Sequence, residues 1–403
     1  MKFSYFRRKL KDVKAEDYLS FLKLGVALLL TPCYKAKHRG KTHWVVCETP
    51  KEARDNGYCF FYHMKKTHPE QRCFYAIDKK SPDASRVEGF GDVVKYGSIR
   101  HWVLYLTAEY NISSQKGGKP STSVCAFLEL MHWIDSRFVF LQHGVIINKV
   151  RWAFADITQL RYFITSAKPE HDYIVKNFGY KPDQIVLTGM PRFDNLHEMN
   201  IDKKLVLIMP TWRSQFVLKS EGHNSSSDFE TSEYKRKWEE FLNSSGLEKL
   251  REKYGLHIMF FPHRNAQRFL KSFEIKNQHI EIGNWENHEI QDVMKKAAVM
   301  VTDYSSVFFD MVYMKKPVVF YQFDYDEFRK TGYEEGYFNY RDNPFAKSYP
   351  DSEGVIEELD RILANDCKVS DGFLQAHREY FPYYDANNSE RIYQLLIRNR
   401  EGS

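Results

Sequence analysis

The stretch that decides the fold is Val299-Met300-Val301-Thr302-Asp303-Tyr304-Ser305-Ser306-Val307-Phe308-Phe309-Asp310-Met311-Val312-Tyr313-Met314-Lys315-Lys316-Pro317-Val318-Val319-Phe320-Tyr321. Residues 299–302 form a short apolar run without polar alternation, so both faces need cover, as in a parallel strand. Asp303 to Ser306 break the run. Ser305 or Ser306 is a natural N-cap for a helix over 307–314. Residues 317–321 then read as a second buried strand. Strand, helix, strand is the repeating unit of a doubly wound sheet.

The same rhythm extends outward. Continuous apolar runs at 43–48, 73–78, 111–114, 138–142, 162–166 and 185–189 predict strands, with helix-like stretches at 51–66 and 123–133 between them. The pattern restarts after 192–200 with a strand at 205–209, a helix at 234–254, a strand at 257–261 and a helix at 289–297. Polar residues 221–228 read as a loop. The expectation is an α/β chain with two Rossmann-like domains facing across a cleft. Residues 43–195 form the first domain and 204–385 the second. A basic segment, 1–42, precedes them. A helix within 386–403 is predicted to pack back on the first domain.

Composition narrows the function. The chain has 403 residues, 43% hydrophobic and 28% charged, enough for two globular cores. Its 59 Lys and Arg exceed 53 Asp and Glu by a net charge of +6. That suits an anionic small-molecule or surface partner and is too small for wholesale coating of nucleic acid. Six scattered Cys without a CxxC pair argue against a zinc ribbon or a disulfide framework. No GxGxxG, GxxxxGK[ST], HExxH or GxSxG occurs. The apolar run Leu24 to Leu30, stopped by Thr31-Pro32, is shorter than the ~20 residues of a spanning helix. Arg7, Arg8, Lys9, Lys11 and Lys14 precede it, and Lys35, Lys37, Arg39 and Lys41 follow. Such flanks suit an interfacial segment on an anionic membrane.

In open α/β sheets, ligands bind beyond the carboxyl ends of the strands. His143-Gly144, with Lys149 following, ends one strand. Pro210-Thr211-Trp212-Arg213, Pro262-His263-Arg264 and Asp303-Tyr304-Ser305-Ser306 end three others. Gly144 permits a sharp turn or a close ligand approach. A histidine in each domain, His143 and His263, beside Lys149, Arg213 and Arg264, combines proton transfer with phosphate neutralisation. The helix after Ser305-Ser306 points its amide groups and positive dipole end at an anion. His63, His68 and the remaining histidines show no metal-ligand spacing, and Asp324-Tyr325-Asp326 reads as a solvated loop. No metal and no cofactor is expected.

These residues carry a family likeness. His143-Gly144, Gly189-Met190-Pro191-Arg192-Phe193-Asp194, Pro210 to Arg213, Pro262-His263, Thr302 to Ser306 with Asp310, and Lys316-Pro317 before Phe320-Tyr321 occur in an order that resembles the CDP-glycerol:poly(glycerophosphate) glycerophosphotransferases of teichoic acid and capsule synthesis. The likeness spans about residues 40–345. It implies a GT-B-like fold and a cytoplasmic enzyme, peripheral on the inner face of the membrane. Such an enzyme moves glycerol or ribitol phosphate from CDP-glycerol or CDP-ribitol to a lipid-linked polymer and releases CMP. It further implies His143 as general base and His263 as the second catalytic histidine. Arg213, Arg264, Thr302, Asp303, Ser305, Ser306 and Asp310 fall on the donor side, and Gly144, Lys149 and Arg192 on the acceptor side. The chain departs from the family's HGTP-like wording with His143-Gly144-Val145-Ile146. It lacks the long extension of the larger polymerases, so a shorter, mainly catalytic form is expected. Rival readings are a GT-B glycosyltransferase using a nucleotide sugar, a non-catalytic phosphopolymer- or lipid-binding protein, and a two-domain nucleotide-sugar epimerase. Donor choice and CMP release separate them.

Overall fold

The computed structural model describes residues 15–213, 216, 225–331 and 333–398. The chain divides into two compact units. The first comprises Met1–Val145, Val150–Asn195 and Tyr383–Ser403, and the second Ile146–Lys149 and Leu196–Pro382.

The first unit is built on β1 (Trp44–Val46), β2 (Cys73–Ile77), β3 (Val93–Lys95), β4 (Tyr110–Ser113) and β5 (Phe138–Phe140). The two-residue strand β6 (Asn148–Lys149) belongs to the second unit, and β7 (Tyr162–Thr165) and β8 (Ile185–Leu187) complete the first sheet. Its order is β3-β2-β1-β4-β5-β7-β8, parallel throughout. The chain therefore reverses its direction of travel between β1 and β4, and the crevice beyond their carboxyl ends is the binding position of a doubly wound sheet.

Burial on both faces explains the continuous apolar strands. Trp44, Val46, Tyr75, Ile112 and Ile164 pack with Phe60, Phe61 and Met64 of the helix Asn56–Thr67. Ile392 and Leu396, one turn apart on the helix Asn388–Arg398, enter the same core.

The second unit has β9 (Asp202–Met209), β10 (His257–Phe260), β11 (Ile280–Ile282), β12 (Ala297–Thr302), β13 (Val318–Tyr321), a short β14 (Glu334–Glu335) and β15 (Ala346–Tyr349). The sheet order is β11-β10-β9-β12-β13-β15, again parallel. Its switch point lies between β9 and β12. Antiparallel β6 and β14 pair separately.

Several expectations change. The helix expected at 234–254 is two, Glu233–Leu242 and Ser245–Tyr254, because the Ser244 hydroxyl accepts the Leu247 N–H and starts a new helix. The edge strands β3, β11 and β15 have mixed, partly exposed patterns and leave no continuous apolar run. Of the loop expected at 221–228, residues 221–224 lie outside the described residues and the rest opens the helix Ser225–Glu230. Arg7, Arg8, Lys9, Lys11 and Lys14 also lie outside them.

The apolar run at 24–30 belongs to a helix of 23 residues, Ala15–Lys37, that continues through Pro32. Pro32 removes one backbone donor, while the adjacent Thr31 hydroxyl donates to the Ala27 carbonyl. Asp17–Lys37 is long and apolar enough to cross a membrane by length and composition, in contrast to the short run read from sequence.

Candidate active site

β5 ends at Phe140, two residues earlier than expected, although the Leu141 N–H still donates to Ser113 O at 2.8 Å. The left-handed residue is then Gln142, with φ 64°, and not Gly144. Buried Gln142 is tethered on both sides. Its side chain donates to Ile164 O at 2.6 Å, and its carbonyl accepts from Asn56 Nδ2 at 2.8 Å. The turn delivers His143 to the surface of the crevice, its side chain 68% exposed.

Asp55, which sequence reasoning missed, stands behind it. Asp55 Oδ2 accepts from His143 Nδ1, and Gln115 Nε2 lies 2.8 Å from that nitrogen and 3.4 Å from the carboxylate. Asp55 Oδ1 accepts from the Asn56 N–H at 2.8 Å and from Arg192 Nη1 at 3.1 Å. Arg192, 5% exposed, also donates to the His143 carbonyl at 2.5 Å. Burial opposes the charge on Asp55, but His143, Arg192 and the Asn56 amide outweigh it and hold the carboxyl at about 2. The same Asp55 charge raises the His143 pKa above its ordinary value, against the nearby Arg192 charge. His143 thus has Nδ1–H engaged and Nε2 available to accept a proton, the arrangement of a general base with an orienting carboxylate.

The loop carrying Asp55 is shaped by Glu48, which follows β1 and is fully buried. Its carboxylate accepts from the backbone N–H of Arg54, Asp55 and Tyr58 at 3.2, 3.4 and 3.1 Å, and from the Tyr75 and Ser114 hydroxyls at 3.2 Å each. Burial, joined by the Asp55 charge, pushes Glu48 up to about 7. No motif marks either acid in the sequence. Their strand-end position beside the switch point was the available signal.

The Gly189-to-Asp194 segment has two roles in this unit. Arg192 supports the dyad. Gly189 has φ 85°, and a Cβ added there would stand only 2.0 Å from Asn388 Oδ1, so the close approach of the last helix requires glycine. Asp194 accepts from the Asn388 and Ser389 N–H groups at 2.8 and 2.9 Å and caps that helix. The same helix brings Glu390 to His63 and His68, a grouping that spacing along the chain does not reveal.

In the second unit the structure reassigns several candidates. Arg213 is 5% exposed, donating to Asp303 at 2.8 Å and to Asp324 at 2.9 Å, with its guanidinium over the Tyr234 and Tyr304 rings. Two carboxylates already satisfy its charge. The adjoining cavity of about 380 Å³ adds Asp228, Glu233 and Glu327, an acidic lining unsuited to a diphosphate. Asp303 is buried and accepts from the Thr211 and Tyr304 N–H groups, and the Thr302 hydroxyl donates to Met209 O at 2.7 Å. Both join β9 to β12. Asp310 is buried within its helix.

That helix is Phe308–Tyr313, six residues long, with Val307 at its cap. Ser305 Oγ accepts the Val307 N–H at 3.4 Å, and the Phe308, Phe309 and Asp310 N–H groups bond to Ser305, Ser306 and Val307 carbonyls. A tight i−3 turn thus occupies amide groups expected to face an anion. Lys149 lies in the second unit and pairs with Glu334 at 2.6 Å. Lys316 donates to the carbonyls of Met294, Lys295 and Ala297, so the Lys316-Pro317 pair closes the helix Ile290–Lys296. His263 and Arg264 remain at the end of β10, Arg264 exposed and His263 half-buried with Nδ1 accepting the Asn265 N–H at 3.2 Å.

Residues 33–398 match the CDP-Glycerol:Poly(glycerophosphate) glycerophosphotransferase family, and the chain belongs to that family of transferases. It is 30% identical over 367 residues to the minor teichoic acid biosynthesis protein GgaB of Bacillus subtilis (strain 168), covering 89% of this chain and 40% of GgaB. It is 25% identical over 252 residues to the teichoic acid ribitol-phosphate polymerase TarK of Staphylococcus aureus (strain NCTC 8325 / PS 47), covering 58% of this chain and 44% of TarK. The chain thus spans less than half the length of these relatives. Among solved structures, the wall teichoic acid polymerase TagF matches with a TM-score of 0.65 at 17% identity, covering 100% of this chain and 98% of that one. The fold is α/β and GT-B-like.

Proposed function

We propose that the chain transfers glycerol phosphate or ribitol phosphate from a CDP-alditol to the terminal hydroxyl of a lipid-linked polymer, releasing CMP. The observation that carries this reading is the Asp55–His143 dyad at the switch point of the first sheet, in a member of this transferase family. The acceptor oxygen attacks the β-phosphorus of the donor. Its proton passes to His143 Nε2, and the bond to the CMP oxygen breaks in line. Asp55 holds the imidazole in the required tautomer and stabilises the imidazolium that forms. His263 and exposed Arg264 are assigned to the donor phosphates. Arg213, Thr302, Asp303 and Asp310 serve as the frame of that strand end. Positive side chains and positioning supply the transition-state stabilisation, with no metal assigned to the transfer step.

The test pairs CDP-glycerol and CDP-ribitol separately with a lipid-linked primer and measures CMP and product mass. His143→Ala is expected to lose at least ~10²-fold in CMP release, as befits a missing general base. Near-normal release by that variant, or turnover of a nucleotide sugar in place of both CDP-alditols, overturns the proposal.

We also propose that the enzyme works on the inner, anionic face of the cell membrane, with the helix Ala15–Lys37 lying along that surface. Leu19, Leu22, Val26 and Leu29 recur along one exposed side, and Lys35, Lys37, Arg39 and Lys41 are exposed at its end. The apolar area continues through Phe21 and Phe127 to Trp133, which is 65% exposed. Opposite this side, Leu24 and Ala27 are buried with Trp102 and Val124, and Lys23 Nζ donates to Gly97 O at 2.9 Å. A helix tied along its length to a folded unit suits docking on a bilayer better than crossing it. The double variant Leu22→Glu/Leu29→Glu is expected to lose flotation with anionic vesicles while keeping CMP release on a soluble acceptor. Unchanged flotation removes this helix from membrane binding.

A further inference from the structure

His63 lies in the helix Asn56–Thr67, His68 caps its end, and Glu390 sits in the first turn of the helix Asn388–Arg398. The Nε2 atoms of His63 and His68 lie 3.1 and 2.7 Å from the same atom, Glu390 Oε2. Ligands bound to one tetrahedral ion through bonds of ~2.0–2.1 Å stand roughly 3.3 Å apart. The three donor atoms, all within 4.8 Å of one another, therefore need only small shifts to share an ion.

The surroundings are built for ligation. Glu70 Oε1 stands 3.5 Å from His68 Nδ1, behind the imidazole as seen from the shared centre. A carboxylate in that position fixes the tautomer with the Nε2 lone pair forward. Gln394 Nε2 donates to Glu390 Oε1 at 2.8 Å and leaves Oε2 for the centre. The Tyr393 ring stacks on His68 at 3.6 Å and sets its plane. With an ion bound, His68 Nε2 ligates while Nδ1 faces Glu70. Side-chain exposures of 24%, 16% and 31% leave the outer side open to a water as fourth ligand.

We propose that His63, His68 and Glu390 bind a zinc ion, and that this ion clamps the last helix to the first unit. Two imidazoles and a carboxylate are a donor set that zinc accepts readily. Because Glu390 is 327 residues from His63, the folded chain alone assembles the site, and binding stabilises it.

The experiment uses the full chain, stripped with a chelator and dialysed. Calorimetric titration with zinc chloride is expected to give one ion per chain, and cobalt(II) chloride to give the visible bands of a tetrahedral Co(II) centre. Zinc is expected to raise Tm. The double variant His63→Gln/His68→Gln, with an unchanged far-UV spectrum, is expected to lose all three responses. Glu70→Gln, which touches no ion directly, is expected to weaken zinc binding ~10-fold or more. Failure of the intact chain to bind either metal, or undiminished binding by the double variant, overturns the assignment. The measurement needs no substrate and is read independently of alditol-phosphate transfer.

Discussion

Replacing Asp55 by asparagine separates a general-base dyad from a merely structural contact. In the native chain the Asp55 charge is the largest influence raising the His143 pKa, and the Arg192 charge acts to lower it. Removing the Asp55 charge leaves that lowering influence unopposed by it, so the His143 pKa falls. A base acts in its neutral form, so the rate rises with pH through this pKa. The acidic limb of the kcat/KM profile is therefore expected to move to lower pH in Asp55→Asn, with each unit corresponding to 1.36 kcal/mol of lost differential stabilisation. Activity on the plateau is expected to fall as well. An asparagine amide donating to Nδ1 puts the ring proton on Nε2, where it blocks proton acceptance. The expected loss is about 10²–10⁴-fold, between the worth of a general base and that of a fixed tautomer. The raised His143 pKa also stabilises the native state below the unfolded value, and that contribution fades as pH rises through the folded value. CMP release from pH 5 to 9, with thermal melts at each pH, reads both effects. A loss of activity with no movement of the acidic limb refutes the dyad.

Two further outcomes follow from geometry. Gly189→Ala places a Cβ against Asn388 at a left-handed backbone position, so it is expected to lower Tm and to deprotect the amides of 388–398 in hydrogen exchange, and unchanged protection contradicts the close-approach argument. Arg213→Met leaves buried Asp303 and partly buried Asp324 without their cation and is expected to cost about 3–5 kcal/mol in urea unfolding, whereas a variant of native stability with a raised donor KM returns Arg213 to phosphate binding.

How far the sequence carried the reading depends on the residue. Buried parallel strands announce themselves, so β9, β10, β12 and β13 were legible from unbroken apolar runs. The edge strands β11 and β15 were not, because an edge tolerates polar residues. His143 was legible as a strand-end histidine. Asp55 was not, since an acid in a loop 88 residues earlier carries no pattern until the switch point brings β1 and β5 near each other. Arg213 illustrates the opposite limit. A strand-end arginine looks like a phosphate ligand, but its meaning depends on Asp303 and Asp324, one of them 111 residues away. Ser305-Ser306 read as a cap for a longer helix, and the i−3 turn that replaces it has the same letters. His63, His68 and Glu390 could not be grouped by spacing, because the third donor comes from the far end of the chain.

The placement of the helix Asn388–Arg398 has a consequence for synthesis. Ile392 and Leu396 fill the core that also holds Trp44 and Tyr110, and Asp194 caps the helix that carries them. The first unit is therefore interrupted in the chain by nearly the whole of the second. At ~5–20 residues per second, a ribosome that has finished residue 195 needs roughly 10–40 s to supply residue 398. Through that interval the nascent first unit presents an open apolar face and an uncapped acceptor at Asp194, and it closes only after the second unit has emerged. The unit that carries His143 is thus completed last, and a prematurely terminated chain retains its sheet but not its finished core.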